Sequence, residues 1–107
     1  MGIFSPAGSS SISLVGATAP NISNTPLAVA GTEYTISLPT GTKKFQIQLR
    51  GVATLQLALT AGASGTTFWT LHAGAAWTED GLTVQSPIDL YVQATQNTQV
   101  LELLYWL

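Results

Sequence analysis

Cysteine is absent from this chain, charge is scarce, and no segment has the apolar spacing of a helix. Without cysteine there are no disulfides and no thiolate metal ligands, which excludes a stapled secreted scaffold. Only 7% of the residues are charged, against roughly 25% in an ordinary globular chain. Three are cationic and five acidic, a net charge of −2. Neutralising a phosphate backbone takes several Lys or Arg on one face; three do not supply it, so no nucleic-acid partner is expected. No run reaches the ~18 apolar residues of a membrane helix. The N-terminus also lacks the basic stretch and apolar core of a signal peptide. Neither a membrane nor a secretory leader is therefore expected.

What the chain does contain is apolar: 46% of its 107 residues are hydrophobic, and the mean hydropathy is +0.33. That length makes one domain, burying somewhat over ~60% of the unfolded surface, enough for a core without staples. An apolar chain with so few charges is expected to have much of its surface covered by other protein.

The first 32 residues carry no charge and are punctuated by Pro6, Pro20 and Pro26 among Ser, Ala and Gly. Such composition disfavours helix. Apolar residues are scattered through it, among them Ile3, Phe4, Leu14 and Val15, and these need a surface to lie on. Residues 1–32 are expected to form an extended arm along the protein or a neighbour, with strands near 11–16 and 26–30.

From residue 33 the apolar period becomes two, the mark of half-buried strands. Tyr34, Ile36 and Leu38 form one inward set, Phe45, Ile47 and Leu49 a second, and Leu55, Leu57 and Leu59 a third. "PTG" at 39–41 and Asp80-Gly81 are turn chemistry, and Gly51 permits a bend. Further strands are expected at 66–73, around Trp77, at 82–84, at 88–94 and from 99 to the end. The prediction is an all-β domain over 33–107. It is an antiparallel β-sandwich of the jelly-roll kind, with about eight strands and a preceding arm.

Every cation sits in one short stretch: Lys43, Lys44 and Arg50. With Phe45, Ile47 and Leu49 inward, Lys44, Gln46, Gln48 and Arg50 share the other face. Two uses fit that display. Lys protects strands against edge pairing, and a cationic face also docks on an acidic surface, such as Glu79, Asp80 or Asp89 of a neighbouring copy.

Catalytic and metal chemistry find little to work with. His72 is the only histidine, and no Gly-x-Ser-x-Gly elbow accompanies it; "GASGTT" at 62–67 comes nearest. Glu79 and Asp80 lack the remaining ligands of a calcium loop. No phosphate loop or dinucleotide fingerprint occurs. No catalytic residue, metal or cofactor is expected. The aromatics Trp69, Trp77, Tyr91, Tyr105 and Trp106 read as interface or core anchors, with sugar stacking the alternative use. Trp77 and Trp106 are the candidate oligomer anchors.

Three stretches carry a resemblance: "KKFQIQLRGVATLQLALTAG", "TFWTLHAGAAWTEDGL" and "LYVQATQNTQVLELLYW". Their order of amphipathic strand, small-residue loop, aromatic strand, acidic-Gly turn and terminal aromatic strand resembles small virion structural proteins of bacteriophages. The likeness is closest to the capsid cement (decoration) proteins of tailed phages such as cyanophages. It covers residues 33–107. It implies a jelly-roll homo-oligomer, a trimer, on the outer surface of a capsid, stabilising contacts between major capsid proteins. Ile3, Phe4, Leu14 and Val15 would then reach onto the shell or a sister subunit, and Lys43, Lys44 and Arg50 would be polar docking contacts. The alternatives are a carbohydrate- or receptor-binding module of a phage tail or spike, and a head-to-tail connector.

Overall fold

Alternating burial decides the architecture. In the computed structural model, which describes residues 19–107, each apolar parity set faces inward and its polar complement faces out. The strands are β1 (Asn21–Leu27), β2 (Tyr34–Leu38), β3 (Lys44–Arg50), β4 (Leu55–Ala58), β5 (Trp69–Leu71), β6 (Ala76–Glu79), β7 (Ile88–Ala94) and β8 (Gln99–Trp106). No helix occurs among the described residues.

Two four-stranded sheets result, ordered β1-β8-β3-β6 and β2-β7-β4-β5, and every pairing is antiparallel. The first strand pairs with the last, the second with the seventh, the third with the sixth and the fourth with the fifth. A chain doubled into one long hairpin and then rolled gives that nesting, which is the jelly roll. Distant parts of the sequence are thereby brought side by side: Phe45, Ile47 and Leu49 lie opposite Tyr105, Leu103 and Leu101.

The core lies between the sheets. Leu27, Ile47, Leu55, Val92 and Leu101 are wholly buried, and burying each such side chain contributes roughly 1.5–3 kcal/mol. Ile47 sits in the interior strand β3, and its truncation to Ala would leave a cavity. Gly51 turns the chain out of β3 with φ of +100°, and a Cβ there would lie 3.1 Å from Gln99 Oε1. The glycine expected to bend the chain at this point is favoured by its positive φ, while the contact would ask only a small shift of the Gln99 side chain.

Several expectations shift in detail. Residues 82–84 form no strand. Pro87 and Gly81 bracket a segment too short for a ladder, and its Leu82 N–H donates instead to the Lys43 carbonyl. The remaining strand comes from within residues 1–32: β1 runs over 21–27 rather than 26–30, paired along its length with β8. Residues 19–32 therefore belong to the sandwich, since Leu27 is wholly buried in it. The fifth strand is three residues long, shorter than the stretch 66–73. Leu59, placed in an inward set by its parity, is 68% exposed because β4 ends at Ala58 and the chain turns away.

Candidate functional site: the apolar end of the sandwich

Because neighbouring strands run in opposite directions, the connecting loops divide between two ends. One end carries loops 39–43, 59–68 and 80–87, the start of β1 and the end of β8. Leu59, Phe68, Trp69, Ile88 and Leu107, all exposed, flank these loops and the chain's last strand. The opposite end shows Val29 and Val52. Apolar exposure is thus polarised toward one end, and clustered exposure of this kind marks interaction surfaces.

Trp77 organises that end. It stands on β6 opposite Ile47, half-buried at the open side where β5 and β6 form the sheet edges. Its ring meets Phe45 edge-on, with centroids 4.9 Å apart and planes at 88°, the geometry that aromatic quadrupoles favour. Trp69, on β5, leans on it from the other sheet at 5.3 Å and 50°. The Trp77 indole N–H donates to Glu79 Oε2 at 2.8 Å, fixing the ring's orientation. Trp69 is 63% exposed.

Two cavities flank this pair. One, about 390 Å³, is lined by Leu57, Leu59, Phe68, Trp69 and Trp77, with the Thr60 and Thr67 residues on its wall. The other, about 320 Å³, is lined by Phe45, Leu59, Trp77, Leu82, Ile88 and Leu90, with Glu79 at its wall. Leu59 and Trp77 belong to both, so the two open on either side of one apolar ridge. Around it stand charges of both signs. Lys43 precedes β3 and Lys44 begins it, and Asp80 follows Glu79, which pairs with Phe45 on the neighbouring strand.

The expected cationic docking face looks different. Arg50 forms an ion pair with Glu102 on β8, Nη2 to Oε2 at 2.8 Å, and its Nε–H donates to the same oxygen at 2.9 Å. Gln48 Nε2 donates to Glu102 Oε1 at 2.8 Å. These bonds hold the Glu102 carboxyl below its ordinary range, the Gln48 bond first and Arg50 second. Lys44 Nζ lies 5.0 Å from the centroid of the Trp106 ring, a cation–π contact. The sheet thus brings Lys44, Arg50 and Trp106 onto one face but engages both cations within the chain. Of the three cations, Lys43 has neither kind of partner among the described residues. Trp77 is on the adjacent strand of the same sheet, opposite the inward Ile47, and so on the sheet's other face. Ile3, Phe4, Leu14 and Val15 lie outside the described residues.

Sequence reasoning missed Glu33. Its carboxylate accepts from the Ser64 hydroxyl at 2.6 Å, the Gly62 N–H at 2.8 Å and the Ser64 N–H at 3.1 Å. Its pKa is lowered by these bonds, the Ser64 hydroxyl most of all. Beside it, Gln93 donates to Gln56 at 2.8 Å. The bonds pin the small-residue loop against the second sheet, burying Ser64. Nothing local in "GASGTT" signals this, because the acceptor lies 31 residues away. This is a structural clamp. His72 is exposed at the opposite end, and no group of three or more His, Asp or Glu among the described residues is placed to hold a metal.

No protein-family model matches the chain, and no curated protein matches it at a significant level. Among solved structures, the solution NMR structure of a de novo designed double-stranded beta-helix is similar. It is 22% identical and covers 82% of this chain and 97% of its own, with a TM-score of 0.46. Similarity at that level says nothing about what the chain does.

Proposed function

We propose that the chain is a non-enzymatic structural protein of a phage virion, a cement (decoration) protein. It would sit on the outer capsid surface as a homo-oligomer and stabilise contacts between major capsid proteins. The observation that carries this reading is the polarised apolar end, where Leu59, Phe68 and Trp69 are exposed around Trp77. Aromatic side chains beside apolar hollows are what a protein interface uses as anchors. The chain's scarcity of charge and the internal pairing of Arg50 support the same reading, since they leave a neutral surface fit for contact with protein. On a lattice, many modest contacts add up to retention without any one being strong.

The test is co-sedimentation with purified, undecorated phage heads, with copy number measured against the major capsid protein. Hundreds of copies per head support the proposal. Absence of binding, or a dozen copies or fewer, removes it.

One observation favours a second reading, a carbohydrate-binding module: Trp69 offers a broad exposed face beside a cavity. Apart from the indole N–H groups of Trp69 and Trp77, the latter taken by Glu79, the side chains of that wall bring only the Thr60 and Thr67 hydroxyls as polar groups, whereas a sugar presents many hydroxyls needing partners. Glycan-array binding abolished by Trp69→Ala would establish this reading in place of the first.

A further inference from the structure

The same end of the sandwich carries a more specific arrangement. Lys43 and Asp80 are both exposed and stand at the ends of adjacent strands, beside the Trp77 ridge. The single ion pair among the described residues is Arg50–Glu102, so neither is neutralised within them. Asp80 keeps one oxygen on the Gly81 N–H, and Glu79 is committed to the Trp77 indole. The end therefore presents an apolar ridge with Lys43 and Asp80 at its margin, while Asp89 at the start of β7 accepts from the Ser37 hydroxyl and Lys44 lies against Trp106.

We infer that this end pairs with the same end of a second copy, related by a two-fold axis. A two-fold contact sets residue i against j and j against i. A surface with both charge signs at the rim of an apolar centre meets that condition: Lys43 of each copy faces Asp80 of the other, twice per pair. The apolar centre, with Trp69, Leu59 and Phe68, supplies the association energy. The rim charges set the register and reject a shifted docking, in which like charges would meet. Residues 1–18 carry no charge and so do not complement Lys43 or Asp80. The two-fold pair also differs from the three-fold assembly implied by the resemblance. It extends the homo-oligomer part of the proposed function and is independent of the capsid part.

Sedimentation equilibrium of the full chain tests it. The wild type is expected to be a dimer. Lys43→Glu and Asp80→Lys, each folded by circular dichroism, should each weaken dimerisation roughly tenfold or more, because each brings like charges together twice. Mixed in equal amounts, the two variants should associate as well as the wild type. The carboxylate introduced at position 43 of one then faces the ammonium introduced at position 80 of the other, and the remaining pair is native. Trp69→Ala should weaken association as well. A wild-type monomer at the highest soluble concentration, a trimer, or a mixture no better than its components would each overturn the inference. Head binding is a separate readout: a dimer that ignores heads sinks the cement reading alone.

Discussion

Arg50 on β3 and Glu102 on β8 meet across the outer face of the first sheet through one carboxylate oxygen, at 2.8 and 2.9 Å. Gln48, directly opposite Glu102 in register, holds the other oxygen. The group that the sequence offered as a docking cation is thus part of a cross-strand cluster of the kind that stabilises sheets.

Glu102→Gln should therefore lower the melting temperature slightly, and the loss should shrink as salt is added, since the pair is partly exposed and screened. Thermal melts at low and high ionic strength check this. A loss independent of salt would mean that shape, not charge, holds the cluster.

Acid should destabilise the fold through Glu33 and Glu102. Both carboxyls lie below their ordinary value of 4.5 when folded, so the unfolded chain takes up these protons first. Their contribution is complete above about that value and is lost as pH falls through the lower folded values. Ser64→Ala removes the largest cause acting on Glu33, so the variant should be less stable than the wild type near neutral pH and converge with it in acid, its pH profile the flatter of the two. Denaturant midpoints measured from neutral to acidic pH decide it; identical pH profiles would dismiss the clamp.

Trp77 and Trp69 should separate stability from association. Trp77→Ala removes a half-buried ring packed on Phe45 and should cost about 3 kcal/mol. Trp69, mostly in solvent, should cost about 1 kcal/mol or less. Denaturant unfolding of both variants measures the difference, and equal costs would contradict the packing described.

Thr98, in the turn between β7 and β8, has φ of +57°, a conformation that β-branched side chains disfavour. Its side chain is exposed. Thr98→Asn relieves the strain with a residue that tolerates the left-handed region, and should stabilise by ~1 kcal/mol. A calorimetric melt that stays put or falls would show that the turn needs Thr.

How much was legible beforehand varies by element. β2, β3, β7 and β8 were readable because each alternates over at least five residues, and alternation is a local property. β1 was harder to place: Asn21 to Leu27 is rich in Asn, Ser, Thr and Pro and looks like linker until β8 supplies its ladder. Leu82 to Val84 misled for the opposite reason, having strand composition but too little length for a ladder, with only two backbone bonds to residues 41 and 43.

The sequence alone determined that this protein is all-β, with a core between sheets and almost no charge, because side-chain period and composition are written along the chain. Only the tertiary structure decided which residues remain available for contact. Arg50 and Lys44 are engaged by Glu102 and Trp106, which lie more than fifty positions away, while Trp69, Leu59 and Trp77 converge at one end. Rolling the chain as a nested hairpin creates those neighbours, and no local pattern encodes them.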